Sequence, residues 1–216
     1  MFNQCAIIPS LDLSKWDMSK NTTILFMFNR TYALKSLDVS NWDLQSCTMA
    51  TRFAQLTSSL KRLDLSTWKN TGNITSYSYF LYNFGGSAIE YLDISSLDTT
   101  SVVAKDSYDG SPGLHNFVTN CIHLDTIIFG EAFGKCKIAI TLDLTSVGSH
   151  WDIKDGEEGS EIKYQLNSKT YESMLTMYDR ATAGLPAMTI QFSSRHNIPE
   201  GWVDKMTARG YTITVV

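Results

Sequence analysis

The chain has 216 residues, 43% of them hydrophobic and 12% aromatic, and its 22 acidic against 18 basic side chains give a net charge of −4. This composition supplies one sizeable apolar core, excludes wholesale disorder, and leaves no basic surplus for a nucleic-acid-binding face. No apolar run approaches the roughly 18–20 residues of a membrane-spanning helix, and Met1-Phe2-Asn3-Gln4-Cys5 lacks the basic and apolar regions of a signal peptide.

Self-similarity dominates the chain. Leu11-Asp12-Leu13-Ser14-Lys15-Trp16-Asp17 returns 26 residues later as Leu37-Asp38-Val39-Ser40-Asn41-Trp42-Asp43. It returns after another 26 as Leu63-Asp64-Leu65-Ser66-Thr67-Trp68-Lys69, and then after 29 as Leu92-Asp93-Ile94-Ser95-Ser96-Leu97-Asp98. The three surplus residues are expected near Gly85-Gly86-Ser87, because Phe28, Ala54 and Phe80 keep the 26-residue beat. Each Leu-Asp-Leu triplet alternates as a short, one-face-buried strand does, and Ile24, Met27 and Phe28 at i, i+3 and i+4 predict a short helix or helical turn opposite it. Two weaker copies have strand-like cores at Ile127-Ile128-Phe129 and Leu142-Asp143-Leu144. One such unit cannot bury its own apolar face, so neighbours must stack, with their strands about 4.8 Å apart in a parallel sheet. The expected fold is therefore α/β: a leucine-rich-repeat solenoid of about six coils over residues 1–148, with one short parallel strand per coil. The first coil enters in phase at Met1-Phe2, which implies further repeats or a partner subunit against it.

An acidic loop, residues 149–163, separates the array from a segment of different period, residues 164–216. There Tyr171, Met174, Leu175 and Tyr178 predict an amphipathic helix with Thr170 as N-cap, and Met188–Phe192 a strand. Pro199 opens a second helix bearing Trp202, Val203 and Met206 and ending at Gly210, before a last strand at Tyr211–Val215. This small αβαβ unit reads as a C-terminal cap over the end of the stack.

Several slots recur. Cys5, Cys121 and Cys136 each lie six residues before a strand core, where Thr31 and Thr57 stand in other units. Such a slot is either a small inward position or, for Cys121 and Cys136, a disulfide between adjacent coils. Trp16, Trp42 and Trp68 form a ladder, either packed at a coil corner or exposed as a strip for sugar rings. Asp12, Asp38, Asp64 and Asp93 form an outward ladder of like charge that needs an explanation. Either the carboxylates accept hydrogen bonds from serines and backbone N–H groups of the next coil, or they present a negative stripe to a cationic partner. The turn-rich insertion Lys105–Gly113, with Tyr108 and Asp109, falls where insertions in repeats often bind.

Met1-Phe2-x-x-Cys5 followed by Leu11-Asp12-Leu13-Ser14-x-Trp16-Asp17, with its echo from Met27-Phe28, resembles the BspA-type leucine-rich repeat of bacteroidal and mycoplasma-type surface proteins. The likeness covers about residues 1–145 and departs from the pattern at Lys69 and Leu97. It implies an adhesion or binding module without enzyme activity. Nucleophile elbows, phosphate-binding glycine loops and zinc-protease motifs are missing from the sequence, and His115, His123, His150 and His196 share no slot. Neighbouring ladder aspartates could meet the spacing of a glycosidase pair, but a uniform ladder gives no pair of distinct environments. The sequence thus points to a cell-surface or secreted module that binds an extracellular protein or glycan through Asp12, Asp38, Asp64, Asp93, Tyr108 and Asp109, without cofactor, metal or membrane insertion. A virion or other assembly component is the alternative.

Overall fold

The computed structural model describes residues 1–83, 87–152 and 161–216; the expectations placed on Gly85-Gly86 and on the centre of the acidic loop lie outside them. The Leu-Asp triplets form three-residue strands: β1 (Ser10–Asp12), β2 (Ser36–Asp38), β3 (Arg62–Asp64), β4 (Tyr91–Asp93), β5 (Thr126–Ile128) and β6 (Thr141–Asp143). A hairpin of β7 (Ser149–Asp152) and β8 (Glu161–Tyr164) follows. The tail then runs α1 (Ser168–Met174), β9 (Met188–Phe192), α2 (Trp202–Ala208) and β10 (Tyr211–Val215). The protein is mixed α/β, with short parallel strands in three small sheets, few helices, and no closed barrel among the described residues.

The strands do not make one continuous sheet. β1 pairs with β2, Leu11 opposite Leu37; β3, β4 and β5 form a second sheet, Leu63 opposite Leu92 and Leu92 opposite Ile127. β2 and β3 lie close without a hydrogen-bonded ladder. The sixth strand, β6, pairs with β9 of the tail, and β9 with β10. At β5 the next strand's place is taken by α1. The hydroxyls of Thr170 and Ser173 accept from Ile127 N (2.9 Å) and Phe129 N (3.2 Å), and donate to the carbonyls of Asp125 and Ile127. Helical spacing of small hydroxyl residues thus satisfies an edge that another strand would have paired. The N-cap of α1 is Asn167, whose side chain accepts from Lys169 N, instead of Thr170, which is fully buried against that edge.

No helix forms over Ile24–Phe28. The backbone there hydrogen-bonds sideways to the next unit: Phe2 N to Met27 O, Phe28 N to Phe53 O, Ala54 N to Phe80 O and Leu81 N to Phe117 O, all within 2.9 Å. Left-handed residues, among them Phe26 and Arg30, Arg52 and Leu56, Tyr79, Asn116 and Asn120, turn alternate N–H groups outward and forbid an i to i−4 ladder. The apolar spacing read as helical instead lines the interior, where Ile24, Met27 and Phe28 are buried. These turns also correct the beat. Tyr79 follows Arg52 by 27 residues, so one surplus residue lies in the 3₁₀ turn after left-handed Asn70, and Phe80 matches Phe53 rather than Ala54.

One apolar core runs through all units, taking in Leu63 and packing Leu11 and Leu37 at its margin. Phe53, Phe80 and Phe117 stack face to face at 5.0 and 5.4 Å. Where Ala54 follows Phe28 in its column, Phe53 meets Phe28 edge-on at 5.2 Å and fills the space. Trp42 and Trp68 stack at 5.8 Å, buried, and each indole N–H donates to the preceding unit, to Leu13 O and Val39 O at 2.9 Å. The tryptophans are therefore packed staples, each ring pair contributing about 0.5–1.5 kcal/mol beyond its burial. In the fourth unit Leu97 keeps the packing, and the Ser96 hydroxyl donates to Leu65 O in place of the missing indole. All four cysteines are free. Cys121 is buried with its thiol on Leu81 O, and burial pushes that thiol up to about 12, so its slot is a small inward one.

Arg180 is 0% exposed, and its partners are carbonyl oxygens instead of a carboxylate. It donates to Cys136 O (2.9 Å), Ile138 O (3.0 Å), Gly134 O and Pro186 O, which fastens the tail to the segment before β6. Arg180→Met should cost about 3 kcal/mol or more in urea unfolding, because several buried carbonyls lose their donor at about 1–3 kcal/mol each. His196 accepts from Ser193 N at Nδ1 (3.1 Å) and faces Val147 O with Nε2 (3.0 Å), a neutral imidazole with its proton on Nε2. Burial holds it below its ordinary 6.5. The unfolded chain therefore takes up the proton first, so the stability from His196 is full above pH 6.5 and lost as the pH falls below it. The melting temperature of the native chain should drop between pH 7.5 and 5.5 more than that of His196→Gln, whose amide does not titrate in this range.

Candidate functional site

The six residues singled out in the sequence fall into two separate groups. The ladder aspartates end the strands, with Asp12 beside Asp38 and Asp64 beside Asp93. Each turns its carboxylate back on its own unit. Asp12 Oδ1 accepts from the amide (3.1 Å) and hydroxyl (2.7 Å) of Ser14, and Asp64 and Asp93 treat Ser66 and Ser95 in the same way. Asp38 accepts from Ser40 N at 2.9 Å. The Asp-x-Ser spacing is therefore a turn that stops the strand, and the partner serine belongs to the same coil, not the next. The Ser14 bonds hold the Asp12 carboxyl below the ordinary range; for Asp64, burial pushes upward but Ser66 and Arg62 outweigh it.

The stripe is also not uniformly negative. Arg62 pairs with Asp64 at 2.9 Å and lies 3.6 Å over the ring of Tyr91, whose hydroxyl donates to Asp93 at 3.1 Å. Where β2 and β3 part, a groove of about 400 Å³ is bordered by Lys35 and Arg62 as well as Asp38 and Asp64.

Tyr108 and Asp109 sit in the insertion, on the turn segments opposite the strands. The loop closes where Gly113 N donates to Val103 O at 2.9 Å. Its anchor is Asp106, which sequence reading passed over. At 6% exposure, Asp106 Oδ2 accepts from the hydroxyls of Ser76 (2.8 Å) and Ser78 (2.9 Å), and Oδ1 from the amides of Tyr108, Asp109 and Gly110 at 2.9–3.2 Å. Burial pushes this carboxyl up, but the Asp109 amide and the two serines outweigh it and keep it low and ionised. So pinned, the loop brings Asp109 to Arg52 (3.2 Å) and sets Tyr108, 47% exposed, edge-on to Phe26 at 5.5 Å. Arg52 lies over the Tyr79 ring at 4.1 Å and donates to Gln55 at 3.3 Å. Beside this cluster opens a cleft of about 410 Å³ lined by Phe26, Arg30, Arg52, Gln55, Tyr79 and Asn116 among others. Apart from the loop, only the interruption of the 26-residue beat pointed here, because Phe26, Arg52 and Tyr79 come together only once the units stack.

Strand, turn and docked insertion define a mixed α/β protein built from side-by-side units with a cleft on its turn side. Residues 1–109, just over half of the chain, match the family described as Mycoplasma protein of unknown function, DUF285, and the chain belongs to that family. No curated protein and no solved structure gave a match. No helix among the described residues is long and apolar enough to cross a membrane.

The anchor is testable by proteolysis. Asp106→Ala should speed chymotryptic cleavage after Tyr108 at least tenfold while the far-ultraviolet circular dichroism stays native; an unchanged rate would mean the carboxylate does not hold the loop.

Proposed function

We propose that the chain is a non-catalytic binding module of a cell-surface or secreted protein, a BspA-like leucine-rich-repeat solenoid over residues 1–148 closed by a cap at 164–216. Its partner is an extracellular protein or glycan. The observation that carries this reading is the pinned insertion. A loop fixed by a buried carboxylate and an Arg52–Asp109 pair, beside an aromatic cleft, is a pre-organised surface that loses little freedom on binding. The family match accords with the mycoplasma-type side of the sequence resemblance. The turn side is favoured over the ladder because the ladder carboxylates already accept hydrogen bonds from their own turns. The same engagement speaks against hydrolysis by a carboxylate pair, since each of Asp12, Asp38, Asp64 and Asp93 is already held by its own turn serine.

The test is a screen of the purified chain against extracellular-matrix proteins and glycans. A partner should be found whose affinity falls at least tenfold in Tyr108→Ala/Asp109→Ala and stays within twofold in Asp12→Asn/Asp38→Asn. Loss through the ladder variant alone would overturn the placement, and the absence of any partner would overturn the reading.

A further inference from the structure

The cleft beside the pinned loop holds features that a generic contact surface does not need. Phe26, Arg30, Arg52, Leu56, Tyr79 and Asn116, all lining it, have φ between 50° and 61°. The hydrogen bonds between successive turn segments impose this left-handed backbone, which fixes the wall of the cleft. Two polar atoms of lining residues are buried and lack a partner among the described residues: Asn29 Oδ1, an acceptor, and Arg52 Nε, a donor. Asn29 is itself 5% exposed, its amide nitrogen spent on Asn3 at 2.9 Å. The charge of Arg52 is matched by Asp109, whereas exposed Arg30 gives only its backbone N–H to the fold, and its guanidinium has no ion-pair partner among the described residues. The cleft is therefore lined by one uncompensated positive charge, by two residues that each hold a buried polar atom without a partner among the described residues, and by the aromatic rings of Phe26 and Tyr79.

We propose that this cleft binds a carboxylated sugar, a hexuronic-acid unit of a glycan. The carboxylate pairs with the Arg30 guanidinium, ring hydroxyls supply a donor for Asn29 Oδ1 and an acceptor for Arg52 Nε, and the C–H face of the ring rests on the aromatic surface. A sulfate or phosphate group offers acceptors only and leaves Asn29 Oδ1 orphaned in its buried position. A neutral sugar leaves Arg30 unmatched. The cleft volume lies in the range of small-ligand pockets, roughly 300–1,000 Å³. This inference rests on reading the chain as a binding module and names the ligand class of the same face.

The experiment is titration calorimetry of the full chain with trigalacturonic acid, its carboxyl-reduced counterpart and a sulfated disaccharide. Trigalacturonic acid should bind at least tenfold more tightly than either comparison probe. Arg30→Ala should remove that preference, whereas Arg30→Lys keeps part of it; since Arg30 makes no side-chain contact that holds the fold, both variants should melt as the native chain does. Equal binding of the reduced probe, stronger binding of the sulfated one, or indifference to Arg30→Ala overturns the proposal. If the broader screen finds a partner on the loop face while trigalacturonic acid does not bind, the uronic-acid assignment fails and the binding-module reading stands.

Discussion

The structure depends on sideways hydrogen bonding between turn segments of successive units. A 26-residue unit whose only regular element is a three-residue strand has neither a helix to bury nor a sheet to share internally. Its turn-side N–H groups find their partners 25 or 26 residues away in the first units, Phe28 on Phe53 and Ala54 on Phe80, and 36 away across the insertion, Leu81 on Phe117. Those bonds require left-handed backbone at residues such as Phe26 and Arg52, which a bulky side chain adopts at a cost of about 1–2 kcal/mol. The cost is offset only when a neighbouring unit supplies the carbonyl. Stacking and local conformation are thus one event, and an isolated unit has no reason to fold.

From this follows the division of labour between the two sides. The strand side is economical: Asp-x-Ser turns repeat almost unchanged, each carboxylate satisfied by its own serine, and the indole staples repeat until Ser96 substitutes for one. The turn side is where the units differ. Of its inward columns, one passes from Phe28 to the small Ala54 and the next stacks Phe53 on Phe80, with Phe53 edge-on to Phe28 filling the space that Ala54 leaves. Its outward residues, free of that constraint, are Arg30, Arg52 and Tyr79.

The strands were legible in the sequence because a two-residue alternation beside a recurring tryptophan carries its own register. Leu11, Leu37, Leu63, Leu92, Ile127 and Leu142 all fall in strands, as do both tail strands. The turn segments were not legible, since apolar residues at i, i+3 and i+4 mark an inward face without distinguishing a helix from a chain of left-handed turns. Equally hidden was the extra residue after Asn70, because Phe80 satisfies a 26-residue count from Ala54 while occupying the place opposite Phe53. The cleft could not be read either: Phe26, Arg52 and Tyr79 belong to three units, and only the stack makes them neighbours. Tyr108 and Asp109 were found by the insertion around them, but the residue that positions them, Asp106, looks in sequence like one more loop acid.

Asp106 and Arg180 solve the same problem with opposite charges. The side-by-side segments satisfy their backbone on one another, so any segment that interrupts them must attach through other groups. At the insertion this is a buried carboxylate collecting hydroxyls and amides; at the tail it is a buried guanidinium collecting carbonyls. Each is spread over enough hydrogen bonds to replace the water it gave up, which is the condition for burying a charge without a counter-ion. Each also makes the attachment all-or-none, because partial detachment strands the charge in the interior. A loop held in that way keeps one conformation, so the face it forms with Arg52 and Phe26 is shaped before any partner arrives.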